Sequence, residues 1–195
     1  MNYSKKYKKY KLKYKQEKLY NDILFIHNCL TTDNLISILQ SGEIKPGINL
    51  TEKHTRLSGF IKSNFIHFNI HFNNFKTKVW NIGIVFSGKI FQDFDIIFNK
   101  GWNSKPNEES IIIKKNSNIN DKYKYINIIQ KYVQDNFEDL FNHEILINGI
   151  IPIHKYLKAV ICLECSDEIC DEITELIKKY DNIKLIKKLK DNIIF

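Results

Sequence analysis

The sequence predicts an α+β fold with flanking helices and a basic N-terminal helix. Many segments have strand length and are either alternating or continuously apolar. A few others carry the helical period, and most links between them are short turns without regular strand-helix-strand alternation. At 195 residues with 43% hydrophobic content, the chain is long enough for one well-buried core. The pattern divides it into a tail, residues 1–20, and one domain, residues 21–195.

The tail comes first. Tyr3, Tyr7, Tyr10 and Tyr14 recur at spacings of four and three, which places them on one helical face. Residues 1–20 hold eight lysines and one glutamate, a net of +7 out of the whole chain's +8. Basicity therefore belongs to the tail and says little about the domain. Such a helix is either solvated, packed on the domain or a partner helix, or laid against single-stranded DNA or RNA, with rings stacking on bases and ammoniums on phosphates.

The domain opens with Ile23-Leu24-Phe25-Ile26-His27, a buried strand. Thr32 or Asp33 is the expected N-cap of a helix over residues 34–40, with Leu35, Ile38 and Leu39 inward and Gly42 as its stop. Pro46 and Gly47 make a turn, and residues 49–58, with Thr51, His54 and Arg56, read as a loop or short helix. Strands follow at 65–72, 79–86 and 94–98. In the first, Phe65, His67, Asn69 and His71 alternate with Ile66, Phe68, Ile70 and Phe72. His67 and His71 lack a third ligand, so they read as solvent or cleft residues with no metal assigned. A turn-rich loop around Gly101 and Trp102 leads to a helix over 121–136, then strands at 144–147 and 158–163. Ser166 caps a helix predicted to run to Tyr180 with Lys178 and Lys179 in its last turn, and a strand at 183–189 closes the chain.

Two features suggest chemistry. Glu144 opens an otherwise apolar strand, where a carboxylate is costly unless it is exposed, paired or used. It is either a solvent-facing strand-start residue or a catalytic glutamate at a cleft mouth. Arg56 is the single arginine among 30 basic residues. A guanidinium offers a planar fork that grips phosphate or carboxylate with two hydrogen bonds, which lysine does not. The four cysteines do not form a dispersed secretory framework, and Cys162-x-x-Cys165 has no second ligand pair at finger spacing, so all four are expected as thiols. No apolar run approaches the roughly 20 residues of a membrane span, and the N-terminus lacks a signal-peptide core. A soluble, intracellular protein is expected, with no membrane partner. Phosphate-binding and dinucleotide glycine motifs are absent.

The ordered landmarks over residues 23–195 resemble the ADP-ribosyltransferases, and most closely the DarT-type DNA ADP-ribosyltransferases. Phe25-Ile26-His27 followed by Asp33 to Gly42 is similar to the family's opening strand, histidine loop and Asn-Leu helix. Phe65 to Phe72, with Arg56 just upstream, resembles its aromatic strand and arginine. Ile84 to Ser87 and Phe98 to Asn103 fit a central strand and the loop beyond it. His143 to Ile147, Ile151-Pro152 and Leu157 to Ile161 resemble the segment carrying the catalytic glutamate. His27 takes the family's histidine position with one extra loop residue, whereas a gapless alignment puts Asn28 there. Asn73 to Lys76 replaces a proline-arginine-serine-proline stretch of the family.

The resemblance implies a split mixed β-sheet core and NAD as the substrate whose nicotinamide is displaced. It implies Glu144 and Arg56 as catalytic residues, and His27, Asn34, Arg56 and Phe68 as NAD-binding ones. Glu144 would stabilise an oxocarbenium-like transition state. The acceptor it implies is a nucleic-acid base, with residues 1–20 holding the strand. The Lys/Tyr-rich helix also resembles N-terminal helices of giant DNA virus proteins, which implies a host cytoplasm or virion setting. Two other functions fit the residues: a non-enzymatic nucleic-acid-binding protein, and an inactive transferase-like interaction module.

Overall fold

A computed structural model describes residues 3–49, 63–73, 81–102, 105–136, 143–163 and 165–187. Arg56, and with it Thr51 and His54, lies outside the described residues. Helix α1 spans Tyr3–Asp22, and β1, Ile23–Asn28, follows it directly. Helix α2, Thr32–Ser41, is capped by Thr31, whose hydroxyl accepts from the Asn34 amide at 3.2 Å. That cap sits one residue before the predicted one. Gly42 ends the helix with φ 77°, a left-handed conformation that glycine adopts without a side-chain clash.

Strand β2 is Glu43–Ile44, β3 Phe65–Phe72, β4 Ile82–Ser87, β5 Ile96–Lys100 and β6 Ile111–Ile113. Helix α3, Ile119–Asp135, precedes β7, His143–Asn148, β8, Ile151–Pro152, and β9, Leu157–Cys162. Helix α4, Asp167–Ile177, and β10, Lys184–Ile186, complete the order. Helix α4 stops before Lys178 and Lys179, so neither lies in its last turn as predicted.

Eight strands form one mixed sheet in the order β10-β9-β4-β1-β3-β7-β5-β6, while β2 pairs with β8. All pairings are antiparallel except β9 with β10, which α4 joins as a single strand-helix-strand unit. The flanking helices cover one sheet face. There Phe25, Phe68, Phe86 and Ile145 pack with Leu35 and Leu39 of α2, Ile129 and Val133 of α3, and Ile173 of α4. The other face carries a smaller apolar group, Leu24, Ile26, Val85, Ala159 and Ile161, and a polar set described below.

The expectation of four thiols is corrected. Cys162 ends β9 and Cys165 stands just before the Ser166 cap, which brings their Cα atoms to 5.7 Å and pairs them as a disulfide. Cys29 and Cys170 are buried thiols.

Candidate active site

The site follows from strand register. Asn99 of β5 lies opposite Glu144 of β7, and His67 of β3 lies opposite Leu146, two residues from Glu144. Side chains alternate along a strand, so His67, Glu144 and Asn99 share one face. The solvent-facing reading of Glu144 is excluded, because the residue is 0% exposed.

Both carboxylate oxygens are held. Oε1 accepts from Asn99 Nδ2 at 2.9 Å, and Oε2 lies 3.0 Å from His67 Nδ1. Asn99 is itself fixed: its amide donates to the Lys105 carbonyl at 2.9 Å, and its carbonyl accepts from the Ser110 hydroxyl at 2.5 Å. On the far side of the imidazole, His67 Nε2 is 3.2 Å from Ser63 Oγ. Trp102 stacks alongside, with ring centroids 6.4 Å apart and planes 25° from parallel.

Proton positions are assigned from these partners. Ser63 Oγ accepts from the Phe65 amide at 3.1 Å, which leaves its own hydrogen to donate to His67 Nε2. The imidazole then carries its proton on Nδ1 and donates it to Glu144. A buried carboxylate in this setting needs such donors, since leaving one unpaired costs several kcal/mol by order of magnitude.

The structure separates the other predicted residues. His27 stands opposite Ile84 of the helix-covered core, and its ring lies 5.5 Å from Phe68. His27 and Phe68 are thus across the sheet from Glu144 and His67. Phe68 is 2% exposed and meets Phe25 and Phe86 edge-on. His27 reaches the site through the backbone: its Nδ1–H donates to the His67 carbonyl at 2.8 Å. Burial, above all, lowers the His27 pKa to about 4, so the ring is neutral at pH 7. Gly83 allows this close approach of β4, because a Cβ there would meet the His27 carbonyl at 2.9 Å. Asn28, next in β1, falls on the Glu144 face by alternation, and its Oδ1 accepts from the Leu30 amide at 3.0 Å. Asn34 is half-buried in the first turn of α2.

His67, Asn99 and Ser63 are the functional candidates that sequence reasoning missed. The available signal was the alternation of His67 with Asn69 on one face of β3.

Residues 19–136 match the family of unknown function DUF5846. The chain is also 31% identical over 205 residues to "Uncharacterized protein R11" of Acanthamoeba polyphaga mimivirus, covering 96% of this chain and 75% of that protein. This chain belongs to the DUF5846 family. The mimivirus relative ties this DUF5846 protein to giant viruses, as its tail suggested. Its fold matches the DarT of Thermus sp. 2.9 in complex with carba-NAD+, with a TM-score of 0.52 at 11% identity over 87% of this chain and 96% of that one. The same DarT in complex with ADP-ribosylated ssDNA matches at 0.50 and 9% identity, over 87% and 94% of the two chains. The DUF5846 protein therefore has a DarT-like ADP-ribosyltransferase fold.

Proposed function

We propose that this protein is an NAD-dependent ADP-ribosyltransferase. The observation that carries the reading is Glu144: a fully buried carboxylate, clamped on both oxygens by His67 and Asn99, on a fold shared with an NAD-bound DarT. A carboxylate fixed in a low-dielectric site suits a sugar that turns positive as nicotinamide departs. A carboxylate held in this way needs little reorganisation as charge develops. The chemistry of the site fits NAD in the same sense, since the site offers an anion to the ribose.

Arg56 is proposed, from its residue chemistry, to grip the NAD diphosphate. Asn34 and Asn28 stand at the β1 to α2 turn, near which the nicotinamide-ribose end is proposed to bind. His27 acts from across the sheet by holding the His67 backbone, and Phe68 supports it from the core.

The proposed acceptor is single-stranded nucleic acid delivered by α1. Tyr7, Tyr10 and Tyr14 are 61–69% exposed on this lysine-rich helix, while Leu19 and Tyr20 bury its other end in the body. The Asp22 backbone carbonyl accepts from the Asn73 backbone N–H at 3.1 Å. That contact lies four residues, about 13 Å, along β3 from the level of Glu144. The same exposed face favours the second reading, a nucleic-acid-binding protein without catalysis.

Labelled NAD mixed with the full chain and single-stranded DNA, RNA or host lysate separates these readings. The transferase reading expects label transfer or NAD cleavage, falling about tenfold to a thousandfold in Glu144→Ala and also reduced in Arg56→Lys. Salt-sensitive strand binding with no NAD consumption would establish the second reading instead.

A further inference from the structure

We propose that Ser63 is an activated nucleophile, and that this chain takes ADP-ribose onto its own Ser63 hydroxyl. The inference rests on the transferase reading and adds a modification site to it. Its basis is a line of three side chains: Ser63 Oγ to His67 Nε2 at 3.2 Å, then His67 Nδ1 to Glu144 Oε2 at 3.0 Å. A nucleophile within reach of a base, with that base oriented by a third group, is the arrangement that activates serine in covalent catalysis.

Several details favour a working relay over an ordinary turn serine. The Phe65 amide occupies one acceptor position on Ser63 Oγ, which directs the hydroxyl hydrogen at the imidazole. Glu144 is fixed by Asn99 and orients the imidazole in turn. His27 pins the backbone of the same histidine from the opposite face. The Glu144 side chain is 0% exposed and that of His67 13%, and Ser63 is buried at 8%. The carboxylate is thus the fully enclosed member, and the imidazole between it and the serine is the most exposed of the three.

The step balances without a further reactant. Ser63 Oγ forms a bond to the ribose C1′ as the bond from C1′ to the nicotinamide nitrogen breaks. The electron pair of that bond leaves with nicotinamide and neutralises its ring. The hydroxyl proton passes to His67 Nε2, and Glu144 stabilises the resulting imidazolium. One NAD becomes free nicotinamide and an O-linked ADP-ribosyl serine, with no redox change.

The test is peptide mapping by mass spectrometry after incubating the full chain with NAD. The proposal expects one ADP-ribose on the peptide bearing Ser63, absent in Ser63→Ala. His67→Gln retains the serine and is expected to lower labelling about a hundredfold or more, the range for removing a general base. A fluorophosphonate probe gives an NAD-free arm: it is expected to label Ser63 in the native chain and to lose that label in His67→Gln. Thermal melts of both variants confirm folding. NAD consumption with no label on Ser63 overturns the inference and leaves the transferase reading standing. Probe labelling of Ser63 without NAD consumption overturns self-modification together with that reading. No label from either reagent shows the serine to be a turn residue only.

Discussion

The two faces of strand β3 obey different physics. On one, Ile66, Phe68, Ile70 and Phe72 are each at most 3% exposed and join the helix-covered core. On the other, Asn69 and His71 are buried too, at 8% and 4%, and His67 is paired with Glu144. Apolar burial is non-directional and tolerates small shifts, whereas a buried polar group must meet its partners in defined geometry. One strand thus contributes both to the apolar core and to a site whose groups cannot drift. A sheet face that is closed and polar is expensive to maintain, and its retention beside a full apolar core points to use.

The largest effect on stability is expected on the apolar face. Phe68→Ala removes a ring that touches Phe25 and Phe86 edge-on, and chemical denaturation should show a loss of about 3–5 kcal/mol. A loss below about 1 kcal/mol would mean that this face is not the main core.

A pH series sharpens the comparison, because each face holds a depressed histidine. Burial lowers His27, on the helix-covered face, and His71, on the polar face, each to about 4 from an ordinary 6.5. Between those values the unfolded chain binds protons that the folded chain does not. Their contribution is therefore complete above pH 6.5 and is lost as pH falls toward 4. Each ring should add up to about 1.4 kcal/mol per pH unit to the slope of unfolding free energy. Denaturant melts from pH 7 to 4.5 are expected to show this fall, and His71→Gln should remove about half of it.

The smallest effect on stability is expected in α1, outside both faces. Replacing Tyr7, Tyr10 and Tyr14 with Ala should each change stability by no more than about 0.5 kcal/mol. The same changes should weaken single-strand binding by about 1–3 kcal/mol per lost stacking ring. Binding isotherms at two salt concentrations separate ring stacking from the lysine contribution, which alone should fall with salt.

Local chemistry made much of this fold legible. β3 has the bounds that its alternation predicts, Gly42 ends α2 as expected, and Ser166 accepts from the Ile169 amide as a cap. Strand β6 went unread because three consecutive isoleucines show no alternation, and β2 and β8 because two-residue strands leave no period. Glu144 stood out as the lone acid in an apolar strand. Its partners did not, since His67 is 77 residues away and Asn99 is 45. Only the order in which β3, β7 and β5 pair brings them together. His27, which the resemblance assigned to NAD binding, shows the same limit: pleating turns its side chain to the sheet face opposite Glu144.

Glu144→Gln tests the central claim most directly. The amide keeps the shape of the carboxylate and its bond from Asn99 while removing the negative charge, with His67 switching tautomer to accept from the new amide N–H. A glycosyl transfer that depends on that charge predicts a folded variant, with a melting temperature within a few degrees of native, whose NAD turnover falls at least about tenfold. Native-like turnover in the folded Gln variant would contradict the account.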